Sequence, residues 1–444
     1  GECSHHWTMA AVAGPQHICY LCTRKFSDAA ALNTHEQYSQ LHKQNLDRQD
    51  DVIRRHKDDV VSGVNRLRQQ LHDAVSSPNP VTNSRAPAIE TQLRQQLGEF
   101  SQAQEAIEYR RASSDPAKQI RNAQVGTLRP TRHEMRCGRL VLEAGAACWQ
   151  GSKETNEDRF VLDIELLACD GLSIPGIMVL DGHSGSRCVE HLVDRLPAAL
   201  QSRLAQKPVL SDEFLQEAVV EACAIVDEEF LAWARQQEAM DGSTLILALV
   251  YEPAGQAGKP RLLVANVGDS RGILCRATPG ESGGSQGLQV FRLSEDHKPN
   301  REDERQRIES LGGMVDLHGV WRVFCPEQVY FGGRAIPRWG LAVSRSFGDL
   351  LLKEPQKYGC TKVLPGQLVS ATPELRLVEL DLTLDRFVVL ACDGIWDVLQ
   401  DQDAGAVCAG QCGVELAAHS LVKHAFAAGS GDNLTAVVLA WRPG

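Results

Sequence analysis

The sequence predicts an α+β fold with largely antiparallel sheets over residues 138–442. Its strand-like apolar runs arrive in adjacent groups, as over 244–275, and do not alternate strictly with helices. Strict alternation would favour a doubly wound parallel sheet, whereas grouped strands favour antiparallel pairing. At 444 residues the chain is also long enough for two or more domains and a large apolar core.

The elements of this fold are predicted from hydrophobic periodicity. Short runs rich in β-branched and apolar residues predict strands over 140–148, 160–164, 177–180, 244–251, 261–266, 272–275, 288–293, 387–391 and 434–440. Apolar residues at helical spacing predict helices over 186–204, 211–237, 301–311 and 404–427.

The N-terminal segment 17–46 predicts a small ββα zinc finger. Two cysteines and two histidines occur at the spacing of a tetrahedral Zn²⁺ site, namely Cys19, Cys22, His35 and His42. Apolar residues between the two pairs, Phe26 and Leu32, would form the small core of such a finger. We therefore expect one Zn²⁺ ion in this segment.

Residues 47–112 predict a helical arm, because apolar residues recur there at helical spacing among charged ones. A proline-rich break interrupts the arm at 76–88. A packed helical hairpin and a partner-binding or coiled-coil arm both fit this pattern. The polar segment 113–137 then predicts a linker to the C-terminal domain.

Net charge and cysteine usage limit the partners and the compartment. A formal net charge of -11 argues against bulk electrostatic binding of nucleic acid. Most of the 14 cysteines sit singly in apolar runs, as reduced thiols do, so we expect a nuclear or cytoplasmic protein. No apolar run approaches the ~18 residues of a membrane span and no signal-peptide pattern opens the chain, so we expect no membrane partner. We also expect a monomer.

Four acidic motifs carry the chemistry of the C-terminal domain. Three of them abut apolar runs that read as buried strands; the motifs are Asn156-Glu157-Asp158, Asp181-Gly182-His183, Asp393-Gly394 and Gly431-Asp432-Asn433. Carboxylates gathered at strand ends repel one another unless a cation lies between them. Hard divalent cations that bind oxygen fit this arrangement. Taken singly, an Asp-Gly pair is more often a turn, so the argument depends on the combination.

Further motifs appear in a fixed order between these four. They are Lys153-x-x-Asn156, Asp241-Gly242-Ser243-Thr244, Asn266-Val267-Gly268-Asp269-Ser270-Arg271, Asp296-His297-Lys298-Pro299, Ser344-Arg345-Ser346-Phe347-Gly348-Asp349 and Cys392-Asp393-Gly394-Ile395-Trp396-Asp397. With them, residues ~140–442 resemble the metal-dependent serine/threonine phosphatases of the protein phosphatase 2C (PPM) family. The resemblance implies an αββα four-layer sandwich of two antiparallel sheets flanked by helices. It also implies phosphoprotein substrates.

The resemblance implies two Mg²⁺ or Mn²⁺ ions at one edge of the sandwich. It makes Asp181 the bridging ligand, with Asp393 and Asp432 on one ion and Glu157 and the Gly182 carbonyl on the other. A pair of cations roughly 3.5–4 Å apart activates a bridging water and stabilises charge on the phosphoryl oxygens.

The remaining implied roles fall on five residues. Asp158 would orient metal-bound water, and His183 would be the general acid for the leaving seryl or threonyl oxygen. Asp269 and Asp397 resemble the positions for a third, weaker metal. Lys153 stands where the family often has Arg, so it supplies charge to the substrate phosphate without a bidentate fork.

Two segments are predicted to select the substrates or partners of the protein. The stretch 313–341 is longer than a short flap needs and predicts a long irregular loop that selects protein substrates. The finger resembles the single finger of RNA-binding-motif splicing regulators, which implies an RNA or protein partner. The mixed charge of the helix expected after it favours a protein partner. Besides an active phosphatase with a targeting finger, the sequence leaves open a pseudophosphatase scaffold and an RNA- or protein-binding adaptor.

Overall fold

The computed structural model describes residues 17–19, 24–26, 131–207, 209–253, 259–278, 287–336 and 340–443. The chain divides into two units, residues 1–111 and 112–444. In the first unit, strands β1 (His17–Cys19) and β2 (Arg24–Phe26) pair antiparallel. The zinc ligands expected at Cys22, His35 and His42 lie outside the described residues, and so does the expected helical arm. The finger and the arm therefore stay predictions.

The second unit contains strands and helices in irregular succession. The strands of its two large sheets are β3 (Thr131–Cys137), β4 (Leu140–Trp149), β5 (Arg159–Leu167), β6 (Ser173–Leu180), β9 (Leu245–Tyr251), β10 (Arg261–Val267), β11 (Arg271–Ala277), β12 (Leu288–Arg292), β19 (Glu374–Glu379), β20 (Asp385–Ala391) and β21 (Leu434–Pro443). Its short strands are β7 (Gly182–His183), β8 (Gly242–Ser243), β13 (Met314–His318), β14 (Val320–Phe324), β15 (Tyr330–Phe331), β16 (Arg334–Ala335), β17 (Gly340–Leu341) and β18 (Phe347–Gly348). Its helices are α1 (Arg187–Leu204), α2 (Asp212–Gln237), α3 (Glu302–Ser310), α4 (Leu350–Lys353), α5 (Asp393–Trp396), α6 (Asp401–Ala409) and α7 (Val414–Ala427), with a 3-10 turn at Pro355–Tyr358.

The two large sheets are antiparallel throughout. One has five strands in the order β19-β10-β9-β6-β5, and the other has six in the order β12-β11-β20-β21-β4-β3. The prediction of largely antiparallel pairing is therefore confirmed for this unit.

Alternation along the strands sets the layers, because successive side chains of a strand point to opposite faces. On β6, Ile177 and Val179 join the core between the two sheets, whereas Met178 and Leu180 join the core beneath α1 and α2. Helices α6 and α7 bury Ala404, Leu421 and other apolar residues in the core that contains the six-stranded sheet.

Three sequence expectations need correction. The helix expected over 404–427 is two helices, since Gly410 ends α6 and Gly413 adopts a φ of +120° before α7. The expected linker 113–137 ends before residue 131, because β3 pairs with β4 as an edge strand and buries Met135 and Cys137. The stretch 313–341 is not an irregular loop.

That stretch forms an antiparallel hairpin. β13 pairs with β14 around Gly319, whose φ is +74°, and β14 pairs in turn with β17. Val323 and Leu341 are buried against Ile308 of α3, which anchors the hairpin to a small apolar core. A second hairpin pairs β15 with β16, and Tyr330 begins β15 while Arg334 begins β16. We call residues 314–341 the flap.

No helix among the described residues is long and apolar enough to cross a membrane.

Candidate metal centre and active site

The acidic motifs meet at one edge of the two sheets. Asp181 follows the last residue of β6, and Asp393 follows β20 after a single residue, Cys392. Asp432 lies two residues before β21, which pairs antiparallel with β20 through Ala391 and Ala436. The end of β20 and the start of β21 therefore share an edge, and the carboxylates predicted at strand ends lie there.

Carboxylate oxygens converge at this edge. Ligand atoms of Asp181, Asp269 and Asp393 lie within 4.8 Å of one another, and so do those of Asp158, Asp181 and Cys392. Burial and the nearby charge of Asp393 raise the pKa of Asp181 well above its usual range. Burial and the charge of Asp269 do the same to the pKa of Asp393. Such mutual repulsion is relieved when a divalent cation binds between the carboxylates.

Asp158 is the clearest sign that the cluster suits a cation and its water. Its side chain is 1% exposed, and no hydrogen bond of good geometry reaches either carboxylate oxygen within the described residues. Burial raises the pKa of Asp158 to about 6, against the lowering effect of the nearby Thr435 and Cys392 side chains. A buried carboxylate that is so weakly compensated is costly, so the site fits a metal or an ordered water held by one. The oxygen donors of the cluster are those that Mg²⁺ and Mn²⁺ prefer.

Cys392 lies beside the cluster as a neutral thiol. Its Sγ accepts a hydrogen bond from the Thr435 backbone N–H at 3.1 Å and donates to the Asn433 carbonyl at 3.5 Å. Burial raises its pKa well above the usual range. This thiol therefore fixes the spacing of β20 and β21 behind the carboxylates.

Glu157 is positioned by Asn433, a residue to which the sequence analysis gave no role. The Asn433 side chain accepts from the Glu157 backbone N–H at 2.9 Å and donates to the carbonyls of Gln150 and Thr155 at 2.8 and 2.9 Å. A Cβ at Gly182 would overlap the Glu157 carbonyl oxygen, so these two backbones are in contact. Asn433 thus ties the loop that carries Glu157 to the start of β21.

Two lysines contact the acidic cluster from different sides. Lys153, 53% exposed, places its Nζ 3.0 Å from Asp432. Lys298 places its Nζ 2.5 Å from Asp269, and the charges of Asp269 and Asp397 raise its pKa well above the usual range against the lowering effect of burial. Lys298 was missed as a site residue, although its motif was recognised. The charges of Asp269 and Asp397 thus act on the same ammonium group.

His183 lies next to the cluster in β7 and is 26% exposed. Its Nε2 is 2.9 Å from both carboxylate oxygens of Asp349. Burial lowers the pKa of His183, but Asp349 outweighs it and the pKa is raised overall. Asp349 was also missed by the sequence analysis, because 166 residues separate it from His183.

The fold and this carboxylate cluster define a metal-binding domain of two antiparallel sheets, and the comparisons with known proteins identify its family. A model of the family "Protein phosphatase 2C" matches residues 143–434. The chain belongs to the protein phosphatase 2C family.

The chain is similar to curated plant proteins. It is 35% identical over 298 residues to "Probable protein phosphatase 2C 52" of Oryza sativa subsp. japonica, covering 67% of this chain and 50% of that protein. It is 35% identical over 301 residues to "Probable protein phosphatase 2C 76" of Arabidopsis thaliana, covering 68% and 59%. The chain thus spans half to three fifths of the length of these relatives.

The fold is also similar to that of solved structures. An example is a phosphatase from a pathogenic strain of Toxoplasma gondii, with a TM-score of 0.51 and 22% identity, covering 70% of this chain and 95% of that one. At this identity the likeness supports the fold alone.

Proposed function

We propose that this chain is a metal-dependent protein serine/threonine phosphatase that hydrolyses phosphoserine and phosphothreonine at a dinuclear centre. The observation that carries the proposal is the convergence of Asp181, Asp269 and Asp393 within 4.8 Å at the edge of the sheets. In this proposal the two ions are Mg²⁺ or Mn²⁺ in an αββα sandwich, and Asp181 would contribute to holding both. Asp393 and Asp432 would hold one ion, and Glu157 with the Gly182 carbonyl would hold the other.

When bound, the two ions supply an activated water and Lewis-acid stabilisation of the phosphoryl oxygens. The remaining steps belong to side chains of this chain. The buried carboxylate of Asp158 orients water for attack, and Lys153 offers its exposed ammonium group to the substrate phosphate. His183 donates a proton to the leaving oxygen, and the charge of Asp349 raises the pKa of its imidazole against the lowering effect of burial. Asp269 and Asp397 are proposed ligands of a weaker third ion.

The N-terminal finger is proposed to target the phosphatase, through Zn²⁺ held by Cys19, Cys22, His35 and His42. Protein and RNA remain the two classes of partner. Retention of the full chain on RNA, compared with Cys22→Ala, tests the RNA alternative. RNA binding that the substitution leaves unchanged would contradict any role of the finger in it.

Hydrolysis of a phosphoserine peptide with Mn²⁺ and with chelator tests the proposed activity. We expect Asp181→Asn to lose more than about 100-fold in kcat, while Asp163→Asn, an exposed carboxylate on β5, keeps wild-type activity. A wild-type chain that binds Mn²⁺ by calorimetry but hydrolyses nothing would favour the pseudophosphatase alternative. Full activity of Asp181→Asn would refute the dinuclear centre.

A further inference from the structure

Asp349 contacts His183 with its whole carboxylate. Both oxygens lie 2.9 Å from Nε2, and Asp349 is 0% exposed. Within the described residues no hydrogen bond involves the other ring nitrogen, Nδ1. A fully buried carboxylate needs a partner that compensates for its desolvation. The imidazole of His183 is that partner.

A three-stranded sheet brings the two residues together. β8 lies between β7 and β18, so that Gly242 is opposite His183 on one side and opposite Gly348 on the other. Asp349 follows Gly348 directly, and its backbone N–H donates to the Asp241 carbonyl at 3.1 Å. A Cβ at Gly242 would overlap both Nε2 of His183 and the Asp349 carboxylate. The His183–Asp349 pair therefore packs directly on the backbone of Gly242, where there is no room for a side chain.

The backbone of Asp349 is unusual for its position. It precedes α4 as the N-cap residue, where an aspartate normally accepts hydrogen bonds from the first turn of its helix. Here it adopts a left-handed conformation with φ +53°, and its side chain makes no capping bond. The carboxylate instead accepts from the hydroxyl of Ser346 and faces His183. Strained conformations of this kind persist where the surrounding structure imposes them, often at functional sites.

We propose that Asp349 is a positioning residue that holds the His183 ring through Nε2 and presents Nδ1 to the leaving oxygen of the substrate. The inference rests on the proposed function and adds to it the group that orients the general acid. As the P–O bond breaks, its electron pair stays on the seryl oxygen, which takes the proton from Nδ1. His183 keeps the Nε2 proton, which Asp349 accepts as a hydrogen bond.

Two substrates separate orientation of the acid from general structural damage. The leaving oxygen of a phosphoserine peptide needs a proton, whereas p-nitrophenolate leaves without one. General acid catalysis contributes about 10²–10⁴-fold. We expect Asp349→Asn to lower kcat for the phosphopeptide by about 100-fold while lowering kcat for p-nitrophenyl phosphate less than about fivefold. Asp163→Asn serves as the control and should change neither rate. Equal losses on both substrates would overturn the proposal.

A double-variant cycle tests whether the two residues act as one unit. Adding Asp349→Asn to His183→Gln should cost no further activity on the phosphopeptide. A further loss of the size seen for Asp349→Asn alone would show that Asp349 acts independently of His183. If Asp349→Asn does not fold, Ser346→Ala removes only the hydroxyl donor and should show the same preference for p-nitrophenyl phosphate in weaker form. If Ser346→Ala lowers kcat equally for the phosphopeptide and for p-nitrophenyl phosphate, the proposal is overturned.

An NMR measurement keeps this inference separate from the proposed activity. In protein labelled with ¹⁵N-histidine, the His183 signals of the wild type should show a hydrogen-bonded proton on Nε2, and Ser346→Ala should shift them. We expect these NMR signals whether or not the wild type hydrolyses the phosphopeptide. A wild type that shows them but hydrolyses no phosphopeptide would refute the proposed function and leave the positioning of His183 intact. A wild-type ring whose Nε2 carries no hydrogen-bonded proton refutes the positioning role whatever the activity.

Discussion

The ammonium group of Lys298 lies 2.5 Å from a carboxylate oxygen of Asp269. The charges of Asp397 and Asp393 act on the same ammonium group, so four charged side chains share one region of the site. Lys298 therefore offsets part of the repulsion among these carboxylates. If Asp269 and Asp397 hold a weaker third ion, as proposed, Lys298 would compete with that ion for them.

Lys298→Met removes the competing charge and keeps most of the side-chain volume. We expect the dissociation constant of the weakest Mn²⁺ site to fall about tenfold, equivalent to ~1.4 kcal/mol, because the carboxylates then lack their resident cation. Electron paramagnetic resonance of free Mn²⁺ measures the change. Lys207→Met, which removes a lysine paired with Glu217 at the surface, is the control. A weaker Mn²⁺ site in Lys298→Met would contradict the competition.

Lys153 is the side chain proposed to bind the substrate phosphate. Its ammonium group reaches Asp432 at 3.0 Å and remains half exposed at the mouth of the site. An arginine fork binds two phosphate oxygens at once, whereas an ammonium is a point charge. We expect Lys153→Arg to lower the inhibition constant of inorganic phosphate by about threefold to tenfold and Lys153→Met to raise it. If the inhibition constant of inorganic phosphate is unchanged in both variants, Lys153 does not bind the substrate phosphate.

The placement of the carboxylates was predictable because it depends on local pattern. An apolar β-branched run followed by an aspartate specifies a strand end, and Asp181 and Asp393 lie there. The contacts of Lys298 and Asp349 were not predictable, since tertiary pairing joins residues 29 and 166 positions apart. Strand pairing brings such residues together, and no local pattern encodes it.

The two elements whose form differs from the sequence prediction, the flap and the helical segment 404–427, still carry local signals in the sequence. The flap hairpin follows from alternation on both sides of Gly319, where Met314 pairs with Phe324 and His318 with Val320. The break between α6 and α7 follows from two glycines within four residues, Gly410 and Gly413. In both cases a glycine marks the turn between two elements.

Asn433 should couple metal affinity to stability. Its side chain makes three hydrogen bonds to the loop of residues 150–157. Asn433→Ala leaves those backbone groups without a partner, and we expect it to cost about 1–3 kcal/mol of unfolding free energy. We also expect Mn²⁺ affinity to fall about 10–100-fold because Glu157 is no longer oriented. Denaturant unfolding and Mn²⁺ titration measure the two effects, and loss of neither would contradict the role.

The hairpin of β15 and β16 is the part of the flap to test for substrate selection. Tyr330 is exposed there, and Arg334 lies at the start of β16. Replacing Tyr330 and Arg334 with alanine spares the buried residues that anchor the hairpin of β13 and β14. We expect KM for a phosphoprotein to rise about tenfold, on the scale of one lost contact residue, with p-nitrophenyl phosphate turnover unchanged. Equal loss on the two substrates would refute a selective flap.

Asp158 should make the metal-free protein less stable as pH rises. Burial raises its pKa from 3.8 to about 6, so the folded state holds the proton over a range in which the unfolded state has released it. The stability linked to this proton is full below pH 3.8 and is lost as pH rises through about 6.

Asp158→Asn removes that proton linkage while keeping the shape of the side chain. In chelator, the free energy of unfolding of the wild type should therefore fall relative to the variant between pH 4 and 7, by roughly 2 kcal/mol. Denaturant titrations across this range measure the difference. Mn²⁺ should abolish it at pH 7, because a bound cation favours the ionised carboxylates. A difference that grows in the wild type's favour as pH rises would show that Asp158 is stabilised as an anion without metal.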